Sequence, residues 1–488
     1  SPANEGVVIE IGPPIFTRLP SKYKLAVPPT SNELKVEKEK KLKYNKAIEL
    51  GFIEKGWIYG TSLKFDDDAI KKIIEKNIKY IPGLFKLFDE GIVNCRDHVV
   101  RMLQAIANGQ QNVLPVTNIE VTIEDDGTIT MLNDGNGIDV AEHPEHKIWI
   151  PEMIFGHLRT STNYDKTEKK IVGGKNGFGF KLVLIWSTYG SVETVDHVRG
   201  LKYRQEFKNN LDEICKPSIT KSKVKPYTKI TFKPDYKRLG INGLTADLIA
   251  LLKKRTYDVS AVTDKTLKVK YNGELVPVKN FQQYIDMYIG DKNVSPRVYE
   301  DNGDRWEYAV ALTPTNEFVQ ISFVNGIHTS KGGKHVEYIL NQITRGLCDF
   351  IEKKKKVKVN PNTIKEQLIL FVRCDIENPA FDSQTKDYMN TPASKFGSKC
   401  EVSEKFIEKV AKMGVMDAAL QLTEIKDNNY RFTIPSHGGG LIGKYDSYRV
   451  ININNCYCSG NNYQASAGIL GECSADIVNI TVNINNCF

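Results

Sequence analysis

Apolar residues recur at three/four spacing between about 83 and 108, at Phe85, Phe88, Ile92, Cys95, Val99, Met102 and Ile106. That pattern predicts one long amphipathic helix, closed by Gly109. A second stripe, Glu90, Asn94, Asp97 and Arg101, repeats at the same spacing on another face. It is either a solvent-facing stripe or a carboxylate and an amide aimed into a pocket. The period then changes to two. Ile119, Val121 and Ile123, a turn at Asp125-Asp126-Gly127, and Ile129 and Met131 predict a hairpin. Its second strand runs into Asn133-Asp134-Gly135-Asn136-Gly137. Asp134 there could accept a hydrogen bond from a ligand amine, or simply close an Asx-turn. Residues 151–158 read as helical and 184–235 as alternating antiparallel strands.

Between these lies the glycine-rich stretch Gly174-Lys175-Asn176-Gly177-Phe178-Gly179-Phe180-Lys181, followed by an apolar run to Trp186. A glycine turn feeding a helix can bring backbone N–H groups to a phosphate. It can equally be a tight turn. The spacing fits neither the dinucleotide-binding nor the P-loop signature. Ahead of it, 159–163 is rich in hydroxyls and amides. A second α+β unit is expected to follow. It has a joining helix over 244–257, a hairpin over 266–278 about Asn272-Gly273, strands over 306–327 and a helix over 336–350. A strand at 368–372 then leads to the polar loop 378–386, and one more amphipathic helix covers 403–424. Lys353 to Lys356 with Lys358 form a basic run after the 336–350 helix, either solvated or in contact with a phosphate backbone.

From about 428 lysine becomes scarce and Asn, Gly and Cys rise. Asn452-Ile453-Asn454-Asn455-Cys456 returns as Asn483-Ile484-Asn485-Asn486-Cys487. Short repeats of this kind suggest β-solenoid coils, and the tail reads as cut within a repeat. Cys456-x-Cys458 is not the usual zinc spacing, so no metal is expected there. The five other cysteines are scattered singly, as free thiols are in reducing compartments. Length allows two or three domains in 488 residues, and a net charge of +8 permits a polyanion partner without requiring one. No run of 18 apolar residues occurs, so no membrane partner is expected, nor a signal peptide. The start at Ser1 reads as that of a fragment.

Six segments in order carry a resemblance. They are IPGLFKLFDEGIVNCRDH (81–98), NDGNGI (133–138), HLRTSTNYD (157–165), GGKNGFGFKL (173–182), SFVNGIHTSKGGKHV (322–336) and NPAFDSQTK (378–386). Together they resemble the ATPase region of type IIA DNA topoisomerases of the eukaryotic and large-DNA-virus kind, over roughly 55–428. The first four belong to a wider ATP-binding superfamily that includes chaperones and histidine kinases. The last two are more specific to topoisomerase II. The resemblance implies an α+β chain, with a Bergerat-type (GHKL) ATP-binding α/β sandwich and then a ribosomal-protein-S5-like transducer. The expected domains are an N-terminal extension over 1–55, partly disordered, the ATPase over 56–257, the transducer over 258–428 and the β-repeat tail over 429–488.

The resemblance also implies roles. Glu90 would be the general base and Asn94 a ligand of Mg²⁺. Asp134 would read the adenine amino group, with Asn133 nearby and Gly137 in the same loop. Ser161, Thr162 and Asn163 would meet ribose and phosphate. Gly174, Lys175, Asn176, Gly177, Phe178, Gly179, Phe180 and Lys181 would form the lid over the triphosphate of ATP. Gln384, Thr385 and Lys386 would reach in from the second domain, with Lys386 at the γ-phosphate. Lys354, Lys355 and Lys356 would meet double-stranded DNA. A homodimer through the ATP gate is implied, and a nuclear or viral-factory location.

Some positions depart from the family. Lys175 stands where arginine is common, Phe180 replaces an alanine and could crowd the loop, and Gly91 weakens the helix beside Glu90. Tyr59 is the candidate for an arm reaching the partner's nucleotide. The E-G-D-S-A motif and the DNA-attacking tyrosine region of the cleavage core are missing, so no DNA cutting is expected from this chain alone. A second reading is an inactive nucleotide- or DNA-binding fragment or fusion. A third, a chaperone or mismatch-repair ATPase, fits NPAFDSQTK poorly.

Overall fold

The computed structural model describes residues 53–63, 69–144, 146–157, 179–293, 295–303, 305–313, 317–383 and 385–427, and four short strands between 442 and 485. The N-terminal extension expected over 1–55 lies almost wholly outside the described residues. Two compact units are present, 1–420 and 421–488.

The first unit opens with the hairpin β1 (Ile53–Leu63) and β2 (Ala69–Lys79). The long helix follows as α1 (Pro82–Ala107), with Pro82 at its first turn and Gly109 turning left-handed after it. Phe88, Ile92, Cys95 and Val99 are buried as the spacing predicts, and Phe85 and Met102 pack partly against the same core. Ile106, in the last turn, is 42% exposed.

The expected hairpin is β3 (Asn118–Ile123) and β4 (Ile129–Asp134). Next come α2 (Ile150–Gly156), α3 (Gly179–Ile185), β5 (Ser187–Asp196), β6 (Leu201–Lys208), β7 (Glu213–Ile214), β8 (Ser218–Lys221) and β9 (Tyr227–Pro234). Helix α4 (Ala246–Ala261) is capped by the Thr245 hydroxyl, which accepts from the Leu248 N–H. It is the crossover that lets β10 (Lys268–Tyr271) lie parallel to β3.

The 266–278 hairpin, expected to open the second domain, thus extends the first sheet instead, with β11 (Glu274–Leu275) at its edge. Val269 and Tyr271 gain a buried face there. The strand order is β11-β10-β3-β4-β9-β5-β6-β7, with β8 also on β6. Ile129, Met131 and Asn133 alternate onto the buried face, which α1 covers.

Helix α5 (Phe281–Ile289) leads to a five-stranded sheet made of β12 (Arg297–Asp301), β13 (Trp306–Leu312), β14 (Val319–Val324), β15 (Ile327–His328) and β16 (Leu368–Cys374). Its order is β12-β13-β16-β14-β15. The unbroken apolar run of β16 is buried on both faces. Leu368, Leu370 and Val372 face α6 (Lys334–Lys355), and Ile369 and Phe371 join the first core, where Phe371 meets Tyr288 of α5. The core is therefore continuous across 257/258.

The short α7 (Pro361–Lys365) precedes β16. The helix expected over 403–424 is two, α8 (Glu404–Val410) and α9 (Met416–Asp427), parted by a wide turn at Gly414 with φ +119°. In the tail, Ile451–Asn454 pairs parallel with Val482–Asn485, bringing Asn452 beside Asn483 and Asn454 beside Asn485. The two repeat copies lie in register, as stacked coils require.

Three histidines, His335 buried and His98 and His328 half-buried, make stability depend on pH. Burial, followed by the Arg101 charge, pushes His98 down to about 4. Burial pushes His335 down to about 3, and His328 is also held well below its ordinary value. The unfolded chain binds these protons below about pH 6.5, and the folded chain does not until much lower. Stability should therefore fall as pH drops from 6.5 toward 4, by up to about 1.4 kcal/mol per unit for each histidine. Melting temperatures across that window test this, and a flat profile contradicts it.

Candidate active site

Helix α1 places Glu90 and Asn94 one turn apart, and Gly91 between them lets the helix sit close to the sheet. A Cβ at Gly91 would lie 2.5 Å from Met131 Sδ, so the glycine that weakens the helix is what allows Met131 of β4 to pack there. Asp97, grouped by spacing with Glu90, is instead 1% exposed and beside Arg96.

Glu90 is half-buried. Its Oε1 is buried, 3.2 Å from Lys86 Nζ and 3.7 Å from Lys386 Nζ, with no closer donor among the described residues. Gly179, at the start of α3, closes on the other oxygen, since a Cβ there would stand 2.0 Å from Glu90 Oε2. Lys386 reaches this point from the loop after β16, in a left-handed conformation with φ +62°. That loop is held by the Lys331 N–H on Asp387 O at 3.0 Å and the Met389 N–H on Gly332 O at 3.2 Å. The Thr385 hydroxyl turns back to the Asp387 carboxylate at 2.8 Å. Gln384 lies outside the described residues.

Asp134 is bonded through both carboxylate oxygens. Its Oδ1 accepts the Thr117 and Asn118 N–H groups at 2.6 and 2.8 Å, and its Oδ2 accepts the Thr117 hydroxyl and Lys225 Nζ, each at 2.6 Å. Burial works to raise its carboxyl, and the bonds from Lys225, Thr117 and Asn118 outweigh it and hold the group low. The geometry ties Asp134 to the start of β3 and to the exposed Lys225. Asn133 is on the α1 face of β4, the layer that holds Glu90 and Asn94. Its Nδ2 donates to Asp134 O at 3.0 Å, and its Oδ1 makes no hydrogen bond among the described residues.

Gly137 packs against β5, where a Cβ would meet Val195 O at 2.0 Å. The Phe180 ring is buried in the core. It is edge-on to Phe155 at 5.4 Å and to Phe232 at 6.0 Å. Lys181 is buried, which lowers its pKa. Ser161, Thr162, Asn163, Gly174, Lys175, Asn176, Gly177 and Phe178 lie outside the described residues, and the Tyr59 side chain is likewise not described. Lys354 and Lys355 end α6 and Lys356 caps it, all three exposed and placed to complement the negative end of the helix.

Spacing alone missed the charges on the buried side of α1. Arg96 Nη2 donates to Asp375 Oδ1 at 2.8 Å, tying α1 to the end of β16, and Lys86 and Asp89 stand next to Glu90. The signal was there in part, since Asp89 and Arg96 fall within the apolar stripe of Phe85, Phe88, Ile92 and Val99.

A family model described as DNA gyrase B matches residues 280–428. The chain is 47% identical over 365 residues to DNA topoisomerase 2 of Acanthamoeba polyphaga mimivirus, covering 74% of this chain and 28% of that protein. It is 42% identical over 366 residues to DNA topoisomerase 2 of Arabidopsis thaliana, covering 73% and 24%. It thus spans about a quarter of the length of these relatives. Among solved structures, the ATPase region of Saccharomyces cerevisiae topoisomerase II matches with TM-score 0.68 at 38% identity, over 76% of this chain and 93% of that one. The ATPase and transducer domains of DNA topoisomerase II from Balamuthia mandrillaris match with TM-score 0.68 at 34% identity, over 84% and 100%. With these matches and a Glu90 site closed by a lysine from the second sheet, the chain belongs to the type IIA DNA topoisomerase family and corresponds to its ATPase and transducer region.

Proposed function

We propose that the chain binds and hydrolyses ATP as the N-terminal gate of a type II DNA topoisomerase. In this reading ATP favours a closed dimer that captures a DNA duplex for strand passage. The observation that supports it most is the meeting of Glu90 with Lys386, which joins the two sheets at the reacting end of the site.

Glu90 would orient a water and accept its proton as the water oxygen bonds to the γ-phosphorus. The bond from that phosphorus to the bridging oxygen breaks, and ADP leaves. Phosphoryl transfer asks mainly for positioning and charge stabilisation. The buried Oε1, flanked by lysines at 3.2 and 3.7 Å, keeps a lone pair for that proton. Lys386 would stabilise charge on the transferring group. Asp134, with Asn133 beside it, would accept from the adenine amino group, and Gly179, which has no Cβ, lets the start of α3 come close to Glu90.

The donors also fit Mg²⁺. Among the described residues no cluster of three His, Cys, Asp or Glu side chains exists, and Asn94 offers one neutral oxygen. That suits an ion held largely by phosphates and water, which would neutralise triphosphate charge. The exposed lysines 354–356 would contact the DNA backbone, sequence-independently.

Removing the Lys386 cation in Lys386→Met should lower kcat about 100-fold, read by phosphate release, and a change below about threefold contradicts its role. The gate itself is tested by sedimentation of the full chain with Mg²⁺, with and without a non-hydrolysable ATP analogue. A monomer that becomes a dimer with the analogue supports the reading. A monomer under both conditions defeats it.

A further inference from the structure

We propose that Lys86 is a positioning residue for Glu90, held by a buried relay through Asp89 and Arg255 that ends on the second sheet. The proposal rests on the ATPase reading of the site. Residues 86, 89 and 90 share one face of α1 by helical spacing. Lys86 Nζ donates to Asp89 Oδ2 at 2.7 Å. Asp89 Oδ1 in turn accepts from Arg255 Nε of α4 at 2.7 Å. Arg255 Nη2 then donates to Gly326 O at 2.8 Å, in the turn between β14 and β15.

That far end is fixed. Gly326 has φ +74°, and a Cβ there would meet Arg96 Cδ and Nε at 2.9 Å, so only glycine fits the turn against α1. The Asn325 side chain locks the same turn, donating to Ile376 O at 2.9 Å and accepting the Ile376 N–H at 2.7 Å.

The relay is expensive as mere packing. Asp89 is 4% exposed and Arg255 is 1% exposed, and buried ion pairs are often no more stable than apolar residues of the same size. Its geometry suits a task instead. Lys86 Nζ stands at ion-pair distance, 3.2 Å, from Glu90 Oε1, longer than its 2.7 Å bond to Asp89, and no closer donor reaches that oxygen among the described residues. The carboxylate is restrained while its lone pair stays open for a proton. Lys386 lies further from the same oxygen, and the proposed reaction needs it at the γ-phosphate. Lys86 is the cation that stays. Burial tends to discharge Lys86, but Asp89 and then Glu90 raise its pKa above the ordinary value and keep it charged.

The test uses the full chain with Lys86→Met and Lys86→Arg, after the parent and Glu90→Gln have been assayed. Loss of the cation should lower kcat on the order of 100-fold, as a small misplacement of a catalytic group does, while the Kd for a non-hydrolysable ATP analogue shifts less than about threefold. Lys86→Arg should recover most of the loss. If Lys86→Met does not fold, Lys86→Gln is read the same way. Parental kcat in the uncharged variant overturns the proposal. So does a parallel loss of kcat, analogue binding and melting temperature that arginine does not rescue, which would make Lys86 a structural brace. A parent without turnover defeats the ATPase reading, and this role with it. A parent that turns over beside an unchanged Lys86→Met defeats this role alone.

Discussion

Replacing Glu90 with glutamine should lower ATP turnover by about 10²–10⁴-fold, the usual worth of a positioned general base. Nucleotide binding should survive. Glutamine keeps the shape of the side chain and an oxygen acceptor, but it cannot take the proton of the attacking water. It also loses the charge that Lys86 and Lys386 flank at 3.2 and 3.7 Å. Phosphate release gives the rate, and calorimetric titration with a non-hydrolysable analogue gives the affinity. Turnover in Glu90→Gln within about threefold of the parent would remove Glu90 from the role of base.

The second large effect is on stability. Arg255→Met should destabilise the first unit by about 3–5 kcal/mol, the usual cost of stranding a buried charge. Burial would raise the Asp89 carboxyl, and Lys86 and Arg255 together hold it well below the usual carboxylate range. Removing Arg255 leaves Asp89 with Lys86 alone and strips the Gly326 carbonyl of its donor. The methionine stem fills part of the space but supplies no donor. Urea denaturation measures the loss, and a change below about 1 kcal/mol would contradict the weight given to the pair.

Where one period governed a segment, the sequence was legible. The helix at α1, the β3–β4 hairpin and the apolar β16 follow from spacing that packing then rewards. Partner choice was not legible. Nothing local in β10 says that it will pair with β3 rather than start a new sheet, since α4 sets that by where it crosses. The helix over 403–424 broke at Gly414 because the pattern of apolar residues does not record a positive φ.

The site was legible through its motifs, but roles within a motif were not. Adjacent strand residues point to opposite sides, so Asn133 and Asp134 cannot both face the α1 layer. The hydrogen bonds of Thr117, Asn118 and Lys225 hold Asp134 at the start of β3. Phe180 looked like a lid residue by its place in the glycine run, while its ring belongs to the core. The relay from Lys86 to Arg255 was hidden because Arg255 lies 166 residues from Asp89, and no local pattern pairs the two.

The most direct test of the account is ATP hydrolysis by the full chain with Mg²⁺, with and without duplex DNA. The account predicts turnover that rises when duplex DNA is added, since capture of a duplex and closure of the gate act on the same site. ATP bound but not hydrolysed under both conditions would contradict it, and would leave a nucleotide-binding fold without the chemistry assigned to Glu90 and Lys386.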